Sequence, residues 1–299
     1  MNKNQLTKIY LETNNVCNLS CSFCHGTSRE KRFMTYAEFL TILGKIKGKA
    51  KYLYLHLIGE PLLNEALPEM AHAARLCGFE VMLTTNGTLL QEKGDFIYKT
   101  GDIKKVSISL QAADIIESAP SQITGEKFEK YIKNAADFAK KCSDTNIICV
   151  LRLWNIEEDK DKKNDIFLEK LHMLFPDDWI KNRSGFKLFN APLGEKEVYL
   201  EFGKKFKWPN QKNTGKFNAG PTFCYAIRDQ IGILCDGTVV PCCLDADGVM
   251  SLGNIFENDL EKILSSKRAL DIISSFQGKK ECEALCRSCG YASQQFKYK

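Results

Sequence analysis

Cys17, Cys21 and Cys24 stand in the stretch NNVCNLSCSFCHG (14–26) with the spacing C-x3-C-x2-C. Thiolates so spaced on one loop ligate metal, yet a closed structural zinc site needs four donors. His25 could be nominated as the fourth, but adjacent residues rarely reach the same small tetrahedral ion in good geometry. Three thiolates suit a cubane iron–sulfur cluster that leaves one iron for something else to bind. An unfilled coordination position marks a catalytic metal rather than a structural one.

The chain holds 13 cysteines in 299 residues. Cys77, Cys142 and Cys149 stand alone inside apolar patterns and read as small core residues. The rest gather at the two ends, with Cys224, Cys235, Cys242, Cys243, Cys282, Cys286 and Cys289 forming the later group. The odd count and the absence of a signal-peptide pattern at the N-terminus disfavour disulfides and favour metal ligation.

Between the two groups, short β-patterned runs alternate with helical ones. Strands are expected at 8–14, 52–57, 79–86, 105–111, 146–154 and 185–190, and helices at 35–48, 64–78, 88–99, 124–142 and 161–175. About six βα units imply a parallel sheet with helices outside it. Several strands carry one apolar and one polar face. Leu53, Leu55 and Leu57 oppose Tyr52, Tyr54 and His56, while Val106, Ile108 and Leu110 oppose Ser107, Ser109 and Gln111. With the apolar faces against the helices, the polar ones, joined by Trp154, would line an interior able to hold a ligand. That suits an open, incompletely closed barrel. Beyond residue 190, the Lys-, Asn-, Gly- and Pro-rich run 202–221 reads as a linker, and 229–245 as a hairpin turning at Asp236-Gly237. A short helix at about 257–265 and a cysteine-bearing tail follow.

Composition narrows the function classes. A net charge of +5, from 42 basic and 37 acidic residues, is not the footprint of a dedicated nucleic-acid binder. The apolar runs are strand-sized, so no membrane span is expected, and a cytoplasmic location follows by default.

The stretch Cys17-Asn-Leu-Ser-Cys21-Ser-Phe23-Cys24, after a predicted strand, resembles the CxxxCxΦC signature of the radical S-adenosylmethionine (SAM) superfamily. The resemblance implies an α/β fold, a partial (β/α)6 barrel, in which SAM chelates the open iron of a 4Fe-4S cluster and is cleaved reductively to a 5′-deoxyadenosyl radical. Ile58-Gly59-Glu60-Pro61 resembles the family's GGEP motif for the SAM amino group, with Ile58 in place of the first glycine. Thr84-Thr85-Asn86-Gly87 is similar to the segment after the third strand, so Asn86 joins the cofactor-binding set together with Phe23. Ser109 falls where related enzymes contact the ribose, and Arg152 is a candidate for the SAM carboxylate, with lumen filler and an ordinary ion pair as the respective alternatives.

Cys224-x12-Gly237-x4-Cys242, followed by Cys286-x2-Cys289, resembles the SPASM/twitch extension with its small β-hairpin and helix. Since no cysteine follows Cys289, the shorter twitch form is expected, with one auxiliary 4Fe-4S cluster on Cys224, Cys242, Cys286 and Cys289. Cys282, Cys243 and Cys235 are reserves, and a zinc site on the same cysteines is the alternative. The expected domains are a barrel at 1–200, a bridging loop at 201–222 and the auxiliary domain at 223–299.

The resemblance implies an oxidoreductase that abstracts a hydrogen atom from a small molecule or a peptide, with the auxiliary cluster accepting an electron and a flavodoxin- or ferredoxin-type protein as donor. Asp245, Asp236 and His56 are candidates for the base that takes the proton. The first strand starts near residue 8, so no leader-binding domain is expected ahead of the barrel, which tilts the expectation toward a small molecule. Peptide maturation by crosslinking or epimerisation is one alternative. A non-catalytic zinc or redox-sensing protein is another, and an RNA-modifying enzyme would want a more basic extension.

Overall fold

The computed structural model describes residues 6–21, 23–112, 125–156, 162–175, 190–192, 197–204, 206–210, 221 and 223–295. In chain order the elements are β1 (Leu6–Leu11), α1 (Tyr36–Ile46), β2 (Ala50–Tyr54), α2 (Leu67–Leu76), β3 (Glu80–Thr85), α3 (Leu90–Lys93), α4 (Asp95–Lys99), β4 (Ile103–Ser109), α5 (Glu126–Ser143), β5 (Ile148–Ile156) and α6 (Lys162–Leu174). After these come β6 (Asn190–Pro192), β7 (Val198–Lys204), β8 (Gln230–Ile233), β9 (Thr238–Val240), β10 (Gly253–Asn254), α7 (Leu260–Leu264), α8 (Lys267–Ser275), α9 (Ala284–Arg287) and α10 (Gly290–Gln295). Among the described residues no helix is long and apolar enough to cross a membrane.

The chain divides into two compact units. The first comprises residues 1–17, 25–80 and 206–299, so the C-terminal cysteines belong to the same unit as the first two strands. Here β1 lies between β2 and β8, parallel to both, with Tyr10 opposite Tyr54 on one side and Gly232 on the other. The antiparallel strands β9 and β10 extend the sheet beyond β8. Helix α1 forms because Thr35 accepts the Glu38 amide while the Glu38 carboxylate takes the Thr35 N–H at 2.8 Å, a reciprocal cap. Its buried Phe39, Ile42, Leu43 and Ile46 recur at helical spacing and form one apolar stripe. Leu53 and Leu55 are fully buried, whereas Tyr52, Tyr54 and His56 are half-buried, so the two faces of β2 differ as the alternation requires.

The second unit comprises residues 18–24 and 81–205. Its parallel strands run β3, β4, β5, β7, with β6 antiparallel on β7. Val106, Ile108 and Leu110 are buried, and long α5 presents Phe128, Ile132, Ala135, Ala139 and Cys142 on one face.

Three expectations change. The sixth parallel strand is β7, at 198–204, so residues 202–204 are not linker; Val198 and Leu200 alternate with Tyr199 and Glu201 and bury one face. The strand expected at 185–190 lies outside the described residues except for Asn190 in β6, and linker residues 211–220 lie outside them too. Cys77 caps α2 half-exposed, unlike the buried Cys142 and Cys149. The tail carries α8, α9 and α10 beyond the one short helix expected there.

Candidate functional site

In the first unit, the loop bearing the N-terminal cysteines leaves β1 through a buried neck, Thr13-Asn14-Asn15. Asn15 donates to the Glu30 carbonyl at 2.8 Å and accepts the Arg32 amide at 2.8 Å, joining the two ends of the loop. Asn64 donates to the carbonyls of Thr13 and Met34 at 2.8 and 3.0 Å. Together with the antiparallel Asn14–Phe33 bridge, in which the Met34 amide donates to the Thr13 carbonyl at 2.9 Å, these side-chain amides tie the two sides of the neck. Neither Asn15 nor Asn64 was expected as a positioning group, because a lone asparagine reads equally as a turn residue.

The Gly59-Glu60-Pro61 segment packs directly on this neck. Asn14 Nδ2 donates to the Glu60 carbonyl at 3.1 Å, and the Glu60 amide donates to the Val16 carbonyl at 2.8 Å. Gly59 has φ +92°, and a Cβ there would sit 2.6 Å from the Asn14 carbonyl oxygen. Only glycine fits so close an approach with that backbone. Glu60, 1% exposed, accepts the Leu62 amide at 3.1 Å and thereby caps the short turn Pro61–Leu63.

In the second unit, Asn86 donates to Asn18 Oδ1 at 2.8 Å, and Asn18 donates to Thr88 Oγ1 at 2.8 Å. Asn18 is the residue after Cys17, so this triangle fixes the start of the cysteine loop against the end of β3. Tyr131 of α5 donates to the Asn86 carbonyl at 2.7 Å and lies 3.2 Å from the Ser109 carbonyl, so one hydroxyl brings together two positions expected to bind cofactor. Arg152, opposite Glu201 across β5 and β7, forms an ion pair with it at 3.1 Å. That is the ordinary-pair alternative, although the buried Nε of Arg152 has no hydrogen-bond partner. The neighbouring Lys105 is pushed down by burial, with Glu201 opposing the shift. The Trp154 side chain lies outside the described residues.

The C-terminal thiols of the first unit form an electrostatically connected group. Burial pushes Cys224, Cys242, Cys286 and Cys289 up, and their mutual repulsion adds to it: Cys242 feels Cys224 and Cys286, Cys286 feels Cys224 and Cys289, and Cys289 feels Cys224. Among the described residues no three His, Cys, Asp or Glu side chains converge on a point that a single ion could occupy. Four neighbouring desolvated thiols are a poor place for negative charge without a cationic centre to neutralise it, and a donor set of that chemistry fits an iron–sulfur cluster.

The reserves separate. Cys282 lies 3.8 Å from the carbonyls of Pro221 and Ser275 and is felt electrostatically by Cys224 and Cys286. Cys243, pushed up to about 11 by burial, accepts a hydrogen bond from Tyr10 of β1. Cys235 is drawn elsewhere: its amide donates to Glu12 at 3.0 Å, and its sulfur sits 3.7 Å from Arg29, with burial pushing the thiol up to about 12. Glu12, fully buried at the end of β1, receives Arg29 on both carboxylate oxygens.

Two of the three base candidates accept backbone amides in turns. Asp245 is 1% exposed, and its carboxylate accepts the amides of Val249 and Met250 at 2.9 and 2.8 Å; it builds the turn after Cys242. Asp236 accepts the Thr238 amide at 3.0 Å and shapes the β8–β9 hairpin with Gly237 at φ +85°. His56 remains on the polar face, its ring edge-on to Tyr10 and Tyr54 at 5.8 and 5.7 Å. His25, the nominated fourth zinc ligand, stacks on Trp208 and lies 3.6 Å from Asp247.

A neck-held cysteine loop, a glycine cradle beside it and a half-buried four-thiol group are the parts of an iron–sulfur enzyme that binds a small cosubstrate. Residues 11–163 match the family model described as the radical SAM superfamily, and residues 224–290 match the SPASM iron–sulfur cluster-binding domain. The chain belongs to the radical SAM superfamily and carries a C-terminal SPASM domain. It is 28% identical over 138 residues to a tungsten-containing aldehyde ferredoxin oxidoreductase cofactor-modifying protein of Pyrococcus furiosus; this covers 42% of the chain and only 38% of that relative. Among solved structures, BtrN in complex with AdoMet and 2-DOIA is similar, with TM-score 0.55 at 17% identity, covering 95% of this chain and 92% of that one. Streptococcus suis SuiB bound to precursor peptide SuiA gives TM-score 0.59 at 18% identity, covering 97% and 70%. The likeness to solved structures concerns the fold, which is the α/β radical SAM fold expected from the sequence.

Proposed function

We propose that this chain is a radical SAM oxidoreductase that removes a hydrogen atom from a bound substrate and passes the remaining electron to one auxiliary 4Fe-4S cluster. The observation that carries the reading is the match of residues 224–290, which hold Cys224, Cys242, Cys286 and Cys289, to an iron–sulfur cluster-binding domain in a chain that already has C-x3-C-x2-C. Cys17, Cys21 and Cys24 would hold the first cluster, with Phe23 beside it. Gly59, Glu60 and Pro61 would receive the SAM amino group, and Asn86 and Ser109 the nucleoside. Arg152 would offer the SAM carboxylate the Nε donor that it does not spend on Glu201. When bound, the first cluster and SAM supply one electron and a 5′-deoxyadenosyl radical able to attack an unactivated C–H bond.

The chain's own residues hold and shield the substrate. Tyr10, Tyr54 and His56 form one aromatic wall, with the Tyr10 and Tyr54 ring centroids 4.8 Å apart. Lys8 lies over both rings at 5.5 and 5.7 Å. Such a surface orients a polar organic substrate while limiting water and stray hydrogen donors. His56, which stands on this wall, is the base candidate of the reading. The two solved likenesses are bound to a small molecule and to a peptide, and both substrate classes suit this wall. The functional division would be a barrel that runs through β7, a bridge that follows it up to 222 and a one-cluster domain at 223–299, with a flavodoxin- or ferredoxin-type donor.

Anaerobic reconstitution tests the reading. About eight irons per chain, in two cubanes, and release of 5′-deoxyadenosine on adding SAM and a strong reductant are expected. Retention of zinc alone, or about four irons that persist when Cys17, Cys21 and Cys24 are replaced, defeats it.

A further inference from the structure

Residues 25–32, which follow Cys24, contain neither helix nor strand, so side-chain bonds set their course. Those bonds run to one place. Thr27 Oγ1 donates to Asp247 Oδ1 at 2.7 Å, the Ser28 amide donates to the same oxygen at 2.8 Å, and the Ser28 hydroxyl lies 3.2 Å from it. Arg29 Nε donates to the Ala246 carbonyl at 2.9 Å while its NH2 group grips Glu12 at 2.8 and 2.7 Å. His25 approaches the other Asp247 oxygen at 3.6 Å.

Ala246 and Asp247 belong to the turn that begins at Cys242. Asp245 closes it with its backbone amide on the Cys242 carbonyl at 3.3 Å and its carboxylate on the Val249 and Met250 amides. The Met250 sulfur then lies 3.8 Å from the Cys286 sulfur. A continuous set of bonded groups within the first unit therefore leads from two auxiliary thiols, through one turn, to the residues adjoining Cys24. Glu12 also takes the Cys235 amide, so the strand that precedes the first cysteine shares the same anchor.

We propose that Asp247 and Arg29 are positioning residues that clamp segment 25–29 onto the 242–250 turn, coupling the order of the N-terminal cysteine loop to occupancy of the auxiliary thiol site. This rests on the functional reading above for what occupies the two thiol groups, while the clamp itself is made only of groups on this chain. A carboxylate that accepts three donors from two consecutive residues fixes them in register, and its loss frees an otherwise irregular segment. Asparagine at 247 retains an oxygen at the Oδ1 position and so keeps the acceptor.

The test compares the reconstituted wild-type chain with Asp247→Ala, Asp247→Asn and Cys286→Ala by hydrogen exchange and by the change in the reduced cluster's EPR spectrum as SAM is added. In Asp247→Ala, exchange at 25–30 rises about tenfold, exchange in the 230–240 hairpin stays unchanged as the folding control, and the SAM concentration needed for the spectral change rises about tenfold with iron content preserved. Asp247→Asn returns both readouts toward wild type, which general destabilisation would not do. Cys286→Ala raises exchange in 245–250 and in 25–30 together. Wild-type exchange at 25–30 in Asp247→Ala overturns the clamp, and a response to Cys286→Ala confined to 245–250 overturns the coupling. A wild-type spectrum indifferent to SAM defeats the functional reading instead, and the exchange measurements still decide the clamp.

Discussion

Gly59 lies so close to Asn14 that a Cβ on the glycine would stand 2.6 Å from the Asn14 carbonyl oxygen and 2.9 Å from its side-chain oxygen. Both obstacles belong to a neck held by buried hydrogen bonds, so neither can move aside cheaply. Gly59→Ala adds left-handed strain at φ +92° to that collision. It is expected to cost about 1–3 kcal/mol of stability and to displace the Glu60 amide from Val16. Differential scanning calorimetry of the mutant checks the first effect and SAM titration the second; an unchanged melting temperature together with unchanged affinity refutes both.

Glu12 and Arg29 form a buried pair, and removing one partner strands the other. Arg29→Met leaves a fully buried carboxylate with only the amides of Cys235 and Ile58. A loss of about 3–5 kcal/mol is expected. The double variant Glu12→Met with Arg29→Met should recover most of it, because two apolar groups need no counter-charge. Urea denaturation of the three variants measures this, and a double variant no better than Arg29→Met would rule out a charge-pair origin.

Legibility from sequence followed periodicity. The two-faced strands β2 and β4 were readable because alternation leaves a mark every second residue, and the Asp236-Gly237 hairpin because a turn needs φ above zero. Strand β7 carries the same alternation, but the Lys- and Gly-rich run that begins inside it drew the boundary too early. Chemistry was less legible than shape. Asp236 and Asp245 are carboxylates near thiols, which suits a base, yet aspartate shapes turns equally well and only the positions of the Thr238, Val249 and Met250 amides distinguish the roles. The Glu12–Arg29 pair joins a strand end to an irregular segment 17 residues later, a separation with no periodic signature.

Cys235 is held apart from the cluster thiols by its bonds to Glu12 and Arg29, and its replacement should leave the iron content unchanged. Its thiol is raised from 9.0 to about 12, chiefly by burial and then by the Glu12 charge. The folded state therefore holds the proton more tightly than the unfolded one. The resulting stabilisation is complete below 9.0 and is lost as the pH climbs toward about 12. Relative to wild type, Cys235→Ala should thus lose less stability across that alkaline window. Urea midpoints of both proteins at neutral pH and above 9.0 check the sign, and parallel curves would contradict it.

Tyr10 joins the aromatic wall of β1 to the auxiliary thiols, since its hydroxyl donates to Cys243, the neighbour of Cys242. Burial and the nearby thiol charge push the phenol up, so it stays a donor throughout the physiological range. A donor beside a cluster stabilises the extra negative charge of the reduced form and raises its potential. Tyr10→Phe removes the donor while keeping the ring against Tyr54 at 4.8 Å, and His56 keeps its edge contact. If one hydrogen bond of about 0.5–1.5 kcal/mol is lost from the reduced state, the auxiliary potential falls by ~20–65 mV for a one-electron couple. Redox titration monitored by EPR, with iron content as the control, reads the shift directly. A potential that stays put or rises would place the phenol outside the cluster's electrostatic reach and remove Tyr10 from any part in electron transfer from the wall.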